Sequence, residues 1–372
     1  MASRIKAARQ EREWSQTRLI GELERVAARR GVTLPSRETL KSRVSRWENN
    51  HAKPDDFYRQ LLREALGLDD RELGFEQEHD SSVVPAVDQL LAVLNASPAP
   101  DGTLLDALRT QTEAIRLQDR QYGASALLEQ MRGHVANIEQ HLTHAVFESS
   151  RKPLAWQLAD AAALAGWQAL DLGAIDQAWR FFEAASGAAQ QAGDKALFGF
   201  ARMEQAHVLA ELTKPTAAAQ LAQSVWDQVQ GDVQPSMRSW LAAATAEMLA
   251  VGDDSRSSVA MLHTAESQVD ALQGECPPYL VFNATHLDRW VGHTLALLAD
   301  SAAEHRLRQA EAEMDASFTR ASASLGLDLA TSLLRRGERE EANQRISQAE
   351  LLARRVGSRR QLARAQRLRT AS

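Results

Sequence analysis

A chain of 372 residues, 44% of them hydrophobic, has the length for more than one domain and the apolar content for a packed core, which excludes a disordered chain. No run of about eighteen apolar residues occurs, so no membrane helix is expected. The single cysteine, Cys276, excludes an intramolecular disulfide and a multi-thiolate metal site. The net charge of −6 is unevenly spread: residues 1–54 carry 13 Lys/Arg against 6 Asp/Glu, so a basic head precedes an acidic body.

Only the head therefore suits a polyanion, and the acidic body argues for a defined docking face over general stickiness. The opening stretch MASRIKAARQERE is charged and not an apolar leader, which predicts a cytoplasmic chain. Ala, Leu, Gln, Glu and Arg dominate and alternating strand patterns are nearly absent, so the expected class is all-α.

In chain order, the first helix is predicted over 4–13. The second starts after Ser15 as N-cap, carries Leu19, Ile20, Leu23, Val26 and Ala27 on one face, and ends at Gly31 as C′ residue. "VTLPS" connects it to a third helix capped by Ser36. There Leu40, Val44 and Trp47 fall at i, i+4 and i+7 and form a core face. The opposite face carries Glu38, Lys41, Ser42, Ser45 and Arg46, with Arg37 and Arg43 on the flanks. "NNHAKP" closes the helix. A fourth helix over 55–66 is expected to bury Phe57, Leu61, Leu62 and Leu66.

The head is expected to span 1–75, followed by a linker with a short helix over 76–102, with breaks at "EQEHDSSVVP" and "NASPAPDG". Connecting helices follow over 103–150, predicted as 103–122 and 124–149, the first with spacing that suits coiled-coil pairing. Residues 151–372 repeat a helix–break–helix theme, with breaks near Gly173, Thr213, Gly252, Asp300 and Gly337, the spacing of two-helix solenoid repeats.

His134, His141 and His144 share one helix, but no acidic or cysteine partner stands at a telling spacing, so surface histidines are expected and no metal. In "THLDRWVGH", His286, Arg289, Trp290 and His293 form one stripe at i, i+3, i+4 and i+7. Such a stripe suits a carboxylate or a peptide terminus on a solenoid's inner face; alternatively Trp290 packs between repeats and the rest flank it. Glu204, Gln205 and His207 are candidates for the same face. Residues 354–372 hold seven Arg and no acid. A solvated capping helix is the expectation there, and contact with the acidic body or with DNA is the alternative. There is no P-loop, dinucleotide glycine pattern, nucleophile elbow or HExxH, so no enzyme and no cofactor are expected.

The stretch "RIKAARQEREWSQTRLIGELERV … SRETLKSRVSRWENNHAKPDDFYRQLLREALGL" resembles the phage-repressor-like (XRE) helix-turn-helix domain, through Ser15-Gln16, "VSRWENN", Pro54 and "LLREALGL". It departs from that pattern in a longer connection, "ARRGVTLPS". The remainder resembles, by pattern, the degenerate tetratricopeptide-like helical domain often fused to such heads. The resemblance implies a bacterial transcriptional regulator that binds double-stranded DNA, usually as a homodimer on paired half-sites, and senses a peptide or small-molecule effector.

In such a domain the third helix enters the major groove. Arg46 and Lys41 then suit guanine, Ser42 and Ser45 hydrogen-bond either way, and Glu38 suits a cytosine amine. Arg37, Arg43, Asn50 and Lys53 suit phosphates, and by resemblance so does Gln16. Trp14 and Trp47 belong to the core and Glu48 to a polar tie within the head. The rival reading is a non-catalytic interaction scaffold with a vestigial head.

Overall fold

The computed structural model describes residues 4–30, 32, 34–70, 72–75, 102–268 and 276–371. The expected helix end at Gly31 and the expected linker and short helix over 76–101 lie outside the described residues. All regular elements among the described residues are helices. The chain divides into two compact units, Met1–Leu90 and Leu91–Ser372.

The first unit holds α1 (Arg4–Glu11), α2 (Gln16–Arg29), α3 (Arg37–Glu48) and α4 (Asp56–Leu66). The caps follow from side-chain chemistry. Ser15 accepts from the Arg18 amide, Ser36 from that of Thr39 and Asp55 from that of Tyr58, each satisfying an amide the first turn leaves free. The core gathers Leu19, Ile20, Leu23, Leu40, Val44, Trp47, Leu61, Leu62 and Leu66. One expectation fails: Phe57 is 39% exposed, and its neighbour Tyr58 takes the core place at 4%, tilted against Trp47 at 5.0 Å. Tyr58 lies on the same helical stripe as Leu61, Leu62 and Leu66; Phe57 is one residue off it.

The second unit begins with α5 (Gly102–Tyr122) and α6 (Leu128–His144), the latter shorter than the sequence suggests. Five antiparallel pairs follow: α7 (Glu148–Asp171) with α8 (Ile175–Ala192), α9 (Lys195–Glu211) with α10 (Pro215–Val229), α11 (Pro235–Val251) with α12 (Ser255–Glu266), α13 (Ala284–Leu297) with α14 (Ala303–Glu313), and α15 (Thr319–Arg335) with α16 (Arg339–Arg355). α17 (Arg359–Ala371) ends the unit. A left-handed residue closes the first helix of each pair, at Gly173, Thr213, Asp253, Ala299 and Gly337. Small side chains bring paired helices close: a Cβ on Gly166 would stand 2.7 Å from the Phe182 ring.

The odd-numbered helices α7, α9, α11, α13, α15 and α17 form an inner layer in which each packs on the next, and α17 returns to α7. The ends of the solenoid thus meet. Ser358 Oγ donates to Asp171 at 2.5 Å, and Arg320 bridges Asp171 at 2.7 Å and Asp119 on α5 at 3.0 Å. Gly123 completes the seam, since a Cβ there would lie 1.8 Å from the Val356 carbonyl oxygen.

Two expectations change here. α17 is not a solvated cap: Arg360 pairs with Glu211 and Arg364 with Asp328, so the arginine-rich end docks on the acidic body. His134 is not a surface histidine: it is 2% exposed, with Nε2 2.9 Å from the Thr112 hydroxyl. α5 buries Thr112, Arg116 and Asp119 within its own unit.

Candidate functional site

In the first unit, α3 presents two chemically distinct faces. Leu40, Val44 and Trp47 are anchored in the core, while Glu38, Lys41, Ser42 and Arg46 are exposed and Ser45 is half-buried. Among the described residues, Glu38, Lys41, Ser42 and Arg46 make no side-chain hydrogen bond or ion pair, so their donors and acceptors are available. The flanks are engaged but only weakly: Arg37 pairs with Glu24 at 3.0 Å in an exposed contact, and the Arg43 guanidinium lies 5.1 Å from the Tyr58 ring centroid. Exposed pairs of that kind contribute about 0–1 kcal/mol.

Asn50 adopts φ 57°, where α3 ends, and Lys53 is exposed beyond it. Gln16 is committed elsewhere: its amide donates to Glu48 Oε2 at 2.8 Å. Glu48, 1% exposed, also accepts from Arg9 Nε at 2.5 Å and Nη2 at 2.9 Å, the polar tie the sequence suggested. Burial alone would raise the Glu48 pKa, but the bonds from Arg9 and Gln16 outweigh it and hold the carboxyl below its ordinary value.

In the second unit, the inner helices surround a cavity of about 510 Å³. Glu204 and His207 from α9, and His286, Arg289, Trp290 and His293 from α13, all line it. Gln205 does not, since its amide turns away to Glu183 at 2.8 Å. Residues the sequence reading missed complete the wall: Arg120 from α5, Trp240 and Glu247 from α11, Phe318 and Arg320 from the α15 end, and Arg360 and Arg364 from α17. Trp290 packs edge-on to Trp240 at 6.3 Å and also lines the cavity.

The polar side chains of the wall fall into two groups. His293 belongs to the first: Nδ1 lies 2.7 Å from Asp328 and Nε2 3.3 Å from Glu247. Burial would lower its pKa, but the two carboxylates lift it to about 9, so the ring is an imidazolium that donates to Asp328 and forms an ion pair with Glu247. His207 lies 3.6 Å from the other oxygen of Glu247 and donates from Nδ1 to the Met203 carbonyl at 3.1 Å. Glu204 beside it is shifted up, chiefly by burial. His293 thus sits between two carboxylates, while Glu204 Oε2 and His207 Nε2 are buried without a hydrogen-bond partner among the described residues.

His286 belongs to the second. Its ring stands edge-on to Phe318 at 4.9 Å, and the Arg120 guanidinium lies 5.7 Å from that same ring. Burial, then the charges of Arg289 and Arg120, push the His286 pKa down to about 4, so this imidazole is neutral near pH 7.

Among the described residues the chain thus holds a bundle of four helices and a closed ring of helical pairs around a polar, aromatic cavity. No family model matches the chain, and no curated protein matches it. Among solved structures it is similar to Bacillus thuringiensis PlcR, crystallised in complex with the peptide PapR7 and DNA: 14% identity over 78% of this chain and 92% of that one, with a TM-score of 0.35. At that identity and superposition the likeness bears no weight for function. No helix among the described residues is long and apolar enough to cross a membrane.

Proposed function

We propose that this chain is a sequence-specific DNA-binding transcriptional regulator whose helical ring takes an effector in its cavity. The observation that carries the reading is the division of α3, with one face fixed in the core and Lys41, Ser42 and Arg46 exposed with their hydrogen-bonding capacity unspent. A major groove reads such a face: Arg46 suits guanine O6 and N7, Lys41 adds a second donor, and Ser42, Ser45 and Glu38 fill the remaining base-edge positions. Arg37, Arg43, Asn50 and Lys53 border the face and suit the phosphates. Gln16 keeps a phosphate role only by releasing Glu48. Heads of this kind act on paired half-sites, so the working form is a cytoplasmic homodimer. An effector in the ring would act by binding one arrangement of the dimer better than the other.

The test is recovery and sequencing of genomic fragments bound by the purified chain at two salt concentrations, beside the Lys41→Ala/Ser42→Ala/Arg46→Ala variant. A shared motif is expected for the native chain and its loss for the variant, each base contact contributing about 1–3 kcal/mol of discrimination. Weak recovery, erased by salt and equal for both proteins, would sink the reading in favour of an interaction scaffold.

A further inference from the structure

The arginines of the cavity wall are not equivalent. Arg116 is neutralised by Asp160, Arg320 by Asp119 and Asp171, Arg360 by Glu211 and Arg364 by Asp328. Arg289 and Arg120 have no ion pair or hydrogen bond among the described residues. The Nε of Arg289 is buried without an acceptor. Burial lowers the pKa of both guanidiniums, the sign of a charge held out of water without enough compensation. The carboxylates whose charges act most on Arg289, Asp328 and Glu247, form their ion pairs with other cations, His293 among them. His286 stands by the two arginines as a neutral ring, adding a hydrogen-bond donor without a third charge. Two desolvated cations and a neutral donor facing one space lack an anion.

The rest of the wall describes the body of that anion. The Arg289 guanidinium lies 5.4 Å from the Trp290 ring centroid, and Phe318 carries both His286 and Arg120 on its faces and edge. Beyond Trp290, Trp240 and Phe200 pack at 5.0 Å. Flat aromatic walls beside a cationic pole suit a planar apolar group with a charge at one end. The size is also bounded. A cavity of about 510 Å³ lies within the range of about 300–1,000 Å³ that encloses a drug-sized molecule. The seam at Gly123, Asp171 and Ser358 joins the two ends of the solenoid, so the inner face bounds a cavity of that size.

We propose that the cavity binds a small organic anion with a planar apolar body, its acidic head held by Arg289, Arg120 and His286 and its body laid against Trp290 and Phe318. This rests on the reading of the ring as a sensing unit and names the class of ligand it takes, a small acid in place of a peptide.

The probe is 8-anilino-1-naphthalenesulfonate, followed by fluorescence on the full chain, with its neutral parent N-phenyl-1-naphthylamine as control. One saturable site is expected for the sulfonate. Arg289→Gln and Arg120→Gln should each weaken it by about tenfold or more, the scale of one lost charged contact, while binding of the neutral dye stays within about twofold. 2-Naphthoate should displace the sulfonate where 2-naphthamide does not. Circular dichroism of both variants guards against unfolding, and the half-buried Arg120 gives a second route if Arg289→Gln fails to fold. Equal affinity in native chain and folded variants, parallel loss of both dyes, or no saturable binding would each overturn the proposal. The DNA experiment is separate: dye bound through Arg289 with no motif recovered keeps the anion site and removes the regulator reading, and the reverse result removes the anion site alone.

Discussion

The same side-chain type serves opposite ends in this chain according to what surrounds it. His293 sits between Glu247 and Asp328 and is held protonated to about pH 9, whereas His286, two turns earlier on α13, meets two arginines and stays neutral down to about pH 4. The stripe at i, i+3, i+4, i+7 announced that these residues share a face, but not which of them would be spent internally, because Asp328 and Glu247 come from other helices.

The same limit applies to Gln16, whose position suits a phosphate while its amide rests on a buried Glu48 32 residues away. His293 carries a pH signature. Unfolded, it titrates near 6.5; folded, near 9, so the folded chain binds an extra proton between those values. Its contribution is whole below about pH 6.5 and falls away as the pH rises through 9, by about 3 kcal/mol. Denaturant titrations at pH 6.5 and 9.5 should show that loss in the native chain and a flatter dependence in His293→Gln; equal slopes would mean the ring is not an imidazolium.

At the scale of elements, local chemistry was legible and helix-to-helix choice was not. Ser15, Ser36 and the breaks at Gly173 and Gly337 are set by neighbours within four residues, so the sequence displays them. Phe57 and Tyr58 are adjacent aromatics: Tyr58 shares the stripe of Leu61, Leu62 and Leu66 and turns inward, and Trp47 on α3 is the ring it meets there. Close helix pairing likewise depends on both partners. On α13, a Cβ at Gly292 would stand 2.7 Å from Leu307 Cγ and 3.1 Å from its backbone nitrogen, so α13 and α14 would have to part. Gly292→Ala should destabilise the ring by about 1–3 kcal/mol despite the better helix propensity of alanine. A denaturation midpoint equal to or above that of the native chain would show that Leu307 yields without cost.

At the scale of the whole second unit, the pattern of pairs predicted a solenoid, and the closure of that solenoid came from the structure. Its seam joins Asp119 to Arg320 across 201 residues and Asp171 to Ser358 across 187, distances over which no spacing rule operates. Closure is also what turns an inner face into a cavity: without α5 and α17, Arg120 and the arginines Arg360 and Arg364 would not meet the α9 and α13 residues.

Arg320 tests how strongly the seam holds. It is 14% exposed and offsets two carboxylates that are 4% and 2% exposed. Arg320→Ala leaves both buried without their cation, a change of about 3–5 kcal/mol. The loss should be local before it is global, because α10 and α12 pack within pairs away from the seam. Hydrogen exchange should therefore speed up first in α5, α17 and the turn at Gly357, and leave the amides of α10 and α12 near native rates. Exchange that rises evenly through the unit would mean the ring unfolds as one body, and unchanged exchange in α17 would mean that Arg360 and Arg364 alone suffice to hold it shut.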